Sequence, residues 1–395
     1  MVYNNKYYLP FFAIMILFLS TSLSCKKNVT TGTPIVNPIV PPPPPPPPVP
    51  VWDVNALRGV WVTTAASTAL DSRANIKACV QNSKAAGINN IFMVVYNNGS
   101  TCYPSTIMQN LIGVRIRPSF VGRDPLQEMI EEAHAVNIKV HAWFEYGFSS
   151  SFSANGGAIV AAQPTWAAKD INGALVVKNG FDWLNAFDPA VQNYMISLFK
   201  EVITGYAIDG VQGDDRLPAV PSSSGYDSYT KNLYFAENGV FPPTNPLDAG
   251  WIQWRAKKLN AFLKRLRTEV KTIKPNILFS MSPSAYPFSL TEYLQDWPTW
   301  VDSSWVDAIL PQCYRYDIGA YNATINQQKS FYNNPAVPFY PGVIVKSGST
   351  LVSDDYLRQM IQKNRASGFK GECFFFYEGV KDKLAFYQTQ YPFIQ

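Results

Sequence analysis

The stretch Ile208-Asp209-Gly210-Val211-Gln212-Gly213-Asp214-Asp215-Arg216 runs from an apolar, strand-forming segment straight into two consecutive carboxylates and an arginine. In a parallel α/β protein that is the pattern expected where a buried strand opens into a functional loop. A helical pattern precedes it at Ala190 to Tyr206 and another follows at Ala249 to Ile273, so the segment reads as the strand of a βα unit. The same alternation runs outward in both directions. Strands are expected at Arg58 to Thr63, Asn90 to Tyr96, Lys139 to Tyr146, Asp209 to Asp214, Ile277 to Ser282, Ala308 to Tyr314, Phe339 to Val345 and Glu372 to Tyr377. Helices are expected between them at Arg73 to Ala86, Pro125 to Val136, Tyr321 to Tyr332 and Ser353 to Ser367, with another near Leu290 to Val301. Eight strands over this length predict an α/β fold of the closed (β/α)8 TIM barrel type. An open doubly wound sheet would usually carry a Gly-rich phosphate turn, which the sequence lacks.

Long connections follow strands two to five, at about 97–124, 147–189, 216–248 and 283–307, and should wall a cleft at the C-terminal face of the barrel. Connections on the opposite face are short. Hydrophobic residues make up 47% of the 395-residue chain and charged residues 15%, which supplies a large core and excludes a disordered chain. A net charge of +5 spread along helix faces predicts no nucleic-acid partner. The 10 Trp and 22 Tyr suit stacking on sugar rings, or equally a large aromatic core.

The N-terminal part reads differently. After Lys6 the apolar stretch Tyr7 to Leu19 is too short for an ordinary membrane span and resembles the h-region of a signal peptide. Ser22-Leu23-Ser24-Cys25 resembles a bacterial lipobox, which makes Cys25 the expected lipidated residue and a membrane the expected partner through that lipid. Ordinary cleavage nearby is the alternative. Residues 1–25 are thus read as a lipoprotein signal peptide, 26–51 as a Pro-rich linker and 52–395 as the catalytic domain of an exported cell-envelope protein. The unbroken run Pro41 to Pro48 favours polyproline II and a stiff tether. The remaining cysteines, Cys79, Cys102, Cys313 and Cys373, have no metal-ligand spacing and are expected as buried thiols.

Candidate chemistry lies at the strand ends. Asp214 and Asp215 with Arg216 end strand four, and a lone turn Asp does not account for all three. Strand three ends His141-Ala142-Trp143-Phe144-Glu145, and alternation puts His141, Trp143 and Glu145 on one face. Strand eight delivers Glu378. Cleaving a glycoside needs a general acid and a second carboxylate as nucleophile or base, so Asp214 with Glu145 or Glu378 forms the expected pair, with Asp215 tuning it. For both glutamates the alternative is a structural ion pair, with Arg58 or Arg216. Arg216, Trp143, His141, Tyr96, Gln312, Tyr314, Trp61 and Arg58 are the candidates for binding a glycan substrate, with packing as the alternative for Trp61 and Tyr96.

Taken together, Arg58-Gly59-Val60-Trp61-Val62, Val140-His141-Ala142-Trp143-Phe144-Glu145, Asp188-Pro189, the strand-four run and Ser282-Pro283 resemble the glycosyl-hydrolase-like family 10 over about Ala56 to Glu378. The resemblance implies a barrel, an exported glycosidase and, in bacterial relatives, action on peptidoglycan glycan strands stripped of stem peptides. Asp209 to Asp214 is also similar to the strand-four segment of the alpha-amylase group, whose final Asp is the nucleophile, and this favours Asp214 over Asp215. The chain departs from that group at strand five, where Ser280-Met281-Ser282-Pro283 offers no Glu as acid.

Two other function classes compete. A non-catalytic glycan-binding surface lipoprotein would need the aromatics but not four carboxylates. A metal-dependent hydrolase would need more than His134 and His141, the two histidines present. Neither a Gly-x-Ser-x-Gly elbow nor a Gly-x-Gly-x-x-Gly turn occurs, so the chemistry expected is carboxylate hydrolysis without cofactor or metal.

Overall fold

The computed structural model describes residues 56–393. The signal peptide, Cys25 and the whole of the Pro-rich linker fall outside the described residues.

Eight parallel strands form one sheet: β1 (Arg58–Val62), β2 (Asn90–Val94), β3 (Lys139–Phe144), β4 (Gly210–Gly213), β5 (Leu278–Met281), β6 (Ala308–Ile309), β7 (Gly342–Ile344) and β8 (Glu372–Phe375). Their order is β6-β5-β4-β3-β2-β1-β8-β7. The two ends of this sheet meet. Parallel bridges Ile309↔Phe339 and Gln312↔Gly342 join β6 to β7, and the Gly342 amide donates to the Pro311 carbonyl at 2.8 Å. The sheet is therefore the expected barrel, with one thin seam. Strands six and seven are shorter than their apolar runs predict because Pro311, Pro338 and Pro341 have no N–H to give to a ladder.

Helices α1 (Arg73–Ala85), α2 (Pro125–His134), α3 (Pro189–Gly205), α4 (Ala249–Ile273), α5 (Trp297–Asp302), α6 (Ile318–Ser330), α7 (Asp354–Ala366) and α8 (Tyr377–Asp382) follow successive strands. Their starts are written locally. Asp124, Asp188, Asp248, Asp317 and Ser353 each accept a backbone N–H of the first turn, and Pro125 and Pro189 occupy the first helical position. The Asp188-Pro189 pair is thus a helix start. The single helix expected near Leu290 to Val301 is instead a short helix Phe288–Tyr293 followed by α5, separated where Leu294 takes a left-handed conformation with φ 61°.

The long connections carry small elements of their own. A hairpin pairs Tyr96–Asn97 with Ser100–Thr101, and a three-stranded sheet joins Ser149–Phe152, Phe181–Trp183 and Val177–Lys178. Lys178 Nζ binds Glu292 Oε2 at 2.5 Å and Asn179 donates to the Tyr293 hydroxyl at 3.0 Å, which ties the loop after β3 to the loop after β5. Inside the barrel, Trp61 and Trp143 pack with centroids 6.3 Å apart, and Trp61 Nε1 donates to Gln212 Oε1 at 2.7 Å. Gln212 Nε2 donates in turn to Ser280 Oγ at 3.2 Å, so this buried polar chain is satisfied across β1, β4 and β5. Cys79, Cys102, Cys313 and Cys373 are buried free thiols, as expected.

Candidate active site

Trp143 and Gln212 stand opposite each other in the β3–β4 register. Two residues further along each chain, on the same face, come Glu145 and Asp214, so neighbouring strands deliver two carboxylates to the C-terminal mouth. Both are buried, 8% and 2% exposed, a state that carboxylates tolerate only with partners.

Arg216 supplies the largest share of that pairing. Its guanidinium lies 3.1 Å from Asp214 Oδ2 and 3.0 Å from Asp215 Oδ1, and its Nε donates to the Glu145 main-chain carbonyl at 2.9 Å. The rings of Phe181 and Tyr146 lie 4.6 and 5.4 Å from the guanidinium carbon, a cation–π cradle that fixes its plane. Gly147 makes this approach possible. Its φ is +49°, and a Cβ there would fall 2.3 Å from the Arg216 carbonyl oxygen. Asp214 Oδ1 accepts from Gln312 Nε2 at 2.7 Å, and its main-chain carbonyl accepts from Gln295 Nε2 at 3.0 Å. Glu145 Oε2 accepts from Thr63 Oγ1 at 3.0 Å and from Asn97 Nδ2 at 2.5 Å.

Burial pushes the Glu145 carboxyl above its ordinary range, while Arg216, Asn97 and Thr63 pull it back. Asp214 is held well above the usual range, first by burial and then by the adjacent Asp215 charge, against the pull of Arg216. Burial works against the Arg216 charge, but Asp215, Asp214 and Glu145 outweigh it and keep the guanidinium protonated. The site thus holds a fixed cation beside two carboxyls, Glu145 and Asp214, whose burial favours retaining a proton, the setting in which one acts as acid and another as base or nucleophile.

The structure sorts the predicted residues into two groups. Asp214, Asp215, Arg216, Glu145 and Gln312 converge, and Tyr314 joins them: burial and then the Asp214 charge raise its hydroxyl pKa. Trp61 and Trp143, 1% and 2% exposed, form the layer beneath the carboxylates rather than an open sugar platform. The rest lie elsewhere. Arg58 stands at the opposite end of the barrel, its Nε donating to the Gly87 carbonyl at 2.7 Å. His141 is near that same end, stacked on Phe92 at 4.5 Å and bonded to Asn90 at 2.7 Å, and alternation along β3 places it four residues below Glu145. Tyr96 is core, its hydroxyl 3.4 Å from that of Tyr194. Glu378 opens α8, accepts from Ser67 at 2.8 Å and pairs with Lys381, the structural ion pair weighed as its alternative but with a different partner. Thr63, Asn97 and Gln295 belong to the site without having been predicted. Thr63 was open to detection, since it follows Trp61 by two residues on the same strand face; Asn97 and Gln295 sit on loops whose course no periodicity reveals. Among the described residues no three His, Cys, Asp or Glu side chains gather as a metal-binding set.

Residues 56–350 match the family model described as Glycosyl hydrolase-like 10. Glycosyl hydrolase DigH of Escherichia coli strain K12 is 27% identical over 358 residues, covering 78% of this chain and 77% of that protein. Glycosyl hydrolase YngK of Bacillus subtilis strain 168 is 22% identical over 386 residues, covering 85% and 70%. Among solved structures, the PgaB (BpsB) glycoside hydrolase domain from Bordetella bronchiseptica superposes with a TM-score of 0.61 at 12% identity, covering 84% of this chain and 97% of that one, a likeness of fold.

Proposed function

From the premise that the chain belongs to the glycosyl hydrolase-like 10 family, we propose that it hydrolyses the glycosidic bonds of a polysaccharide, with Asp214 and Glu145 as the working carboxylates. The observation that carries this reading is the placement of two buried carboxyls at the mouth of the barrel beside one guanidinium, which pairs with the Asp214 carboxyl and holds the main-chain carbonyl of Glu145. Glycoside cleavage asks for a proton donor beside the leaving oxygen and a second carboxylate that attacks carbon or activates water. Burial raises the proton affinity of a carboxyl, the direction a donor needs, and Glu145 is the donor in this reading. Asp214, with Arg216 on one oxygen and Gln312 on the other, is the carboxyl whose ionised form the surroundings can support during the reaction.

Glycan strands of peptidoglycan lacking stem peptides are the first substrate to test, and lipid-anchored export through Cys25 is the location proposed for the enzyme. A glycan-binding lipoprotein without catalysis is the competing reading. Release of reducing ends from denuded peptidoglycan and from a polysaccharide panel, compared between the protein and Asp214→Asn, separates the two. Cleavage abolished in a folded variant supports hydrolysis. Binding without cleavage, unchanged by the substitution, refutes it.

A further inference from the structure

Both donors that reach the Glu145 carboxyl reach the same oxygen. Thr63 Oγ1 lies 3.0 Å and Asn97 Nδ2 2.5 Å from Oε2, and among the described residues no donor is recorded at Oε1. Asn97 can only donate through its Nδ2, and the Thr63 hydroxyl, which accepts from the Ala65 amide at 3.1 Å, keeps its own proton free to donate to Glu145 Oε2. A hydroxyl-type carboxyl oxygen is a poor acceptor for two donors, whereas a carbonyl-type oxygen takes both on its two lone pairs. The arrangement therefore makes Oε2 the acceptor in either protonation state.

We infer that Thr63 and Asn97 are positioning residues that confine the Glu145 proton to Oε1 and present it from there to the glycosidic oxygen. The inference rests on the hydrolase reading above and names the geometry by which that site acts as an acid. In the step, the Oε1–H bond breaks as a new O–H bond forms on the leaving oxygen. The electron pair of the carbon–oxygen bond goes to that oxygen, and water supplies the hydroxyl and proton that restore the balance. The negative charge left on Glu145 is shared with Oε2, where both hydrogen bonds strengthen because their acceptor has become ionised. They stabilise the product of proton transfer more than its reactant, the differential that accelerates a step. Neither residue touches the substrate in this scheme. Thr63 comes from the end of β1 and Asn97 from the hairpin after β2, so three consecutive strand ends cooperate on one carboxyl.

The test reads the Glu145 proton directly. In the full chain labelled with 13C-glutamate, infrared difference spectra against Glu145→Gln isolate the protonated-carboxyl band of this residue, and its loss is followed with pH. Removing a donor to a charged acceptor in Thr63→Val or Asn97→Ala should raise proton affinity about tenfold to a hundredfold, moving the midpoint up by about one to two pH units. Thr63→Ser, which keeps the hydroxyl, should restore it. The alkaline limb of cleavage of denuded peptidoglycan strands should move with the band. Midpoints that stay in place in both variants overturn the inference, as does a band that moves while the alkaline limb of an active enzyme does not. If the wild-type protein cleaves no glycan on the panel although the band moves as expected, the confinement of the proton stands and the hydrolase reading is what fails.

Discussion

Replacing Arg216 with methionine keeps an unbranched chain of similar length between Phe181 and Tyr146 but removes the cation that faces Asp214, Asp215 and the Glu145 carbonyl. The guanidinium is 13% exposed and Asp214 only 2%, so the pair belongs with buried ion pairs rather than with screened surface ones. Two unit charges about 4 Å apart at an effective dielectric of about 20 attract by about 4 kcal/mol, and breaking one partner of a buried pair costs about 3–5 kcal/mol. At pH 7 the variant should therefore lose about 3–5 kcal/mol of unfolding free energy. The loss should depend on pH. Without the cation the Asp214 carboxyl, already raised by burial and by Asp215, rises further, so the folded variant binds a proton that the unfolded chain, with ordinary aspartate values, does not. Protonation of the folded state then offsets part of the destabilisation as pH falls toward the unfolded range near 4. Urea unfolding of wild type and Arg216→Met at pH 7 and pH 5, followed by circular dichroism, measures both quantities. A loss below about 1 kcal/mol, or one that is equal at the two pH values, would refute Arg216 as the countercharge of the site.

Four further outcomes follow from the geometry. Glu145→Gln should abolish cleavage while raising the melting temperature at pH 7, because a carboxyl with a raised folded pKa contributes stability below the unfolded value near 4.3 that is lost as pH rises through the folded one; the gain should fade toward pH 4 in a calorimetric series. Glu378→Gln should leave the cleavage rate within about threefold of wild type and cost about 0–1 kcal/mol, since its partner Lys381 is 41% exposed; a hundredfold loss of rate would return Glu378 to the catalytic set. Gly210→Ala would place a Cβ 2.0 Å from His141 Nδ1, displacing a ring stacked on Phe92, and should cost about 1–3 kcal/mol in urea unfolding. Burial lowers the His141 pKa to about 4, so the neutral ring contributes stability that is lost as pH falls from about 6.5 toward that value; His141→Gln should flatten this part of the stability profile without changing cleavage per folded molecule.

The amino-acid sequence determined the barrel by itself. Eight apolar runs separated by capped helices leave few ways to bury both faces of every strand, and a parallel sheet satisfies all of them. It also determined that Glu145 and Asp214 share a face with Trp143 and Gln212, because alternation along a strand is fixed by the pleat. The Asp-Pro helix starts at Asp124-Pro125 and Asp188-Pro189 were equally local, since a cap is made within four residues. What only the tertiary structure decided is which strand end faces which. His141 and Arg58 look functional in the sequence, yet Arg58 opens β1 and His141 lies in the first half of β3, four residues before Glu145, which sets its side chain roughly 13 Å from the mouth. Tyr96 and Glu378 lie near strand ends but turn away, one into a contact with Tyr194 and the other to Lys381. Asn97 and Gln295 enter the site from loops separated from their partners by 48 and 81 residues. No periodicity encodes such a meeting; it exists only once the sheet closes and brings distant loops over the same carboxylates.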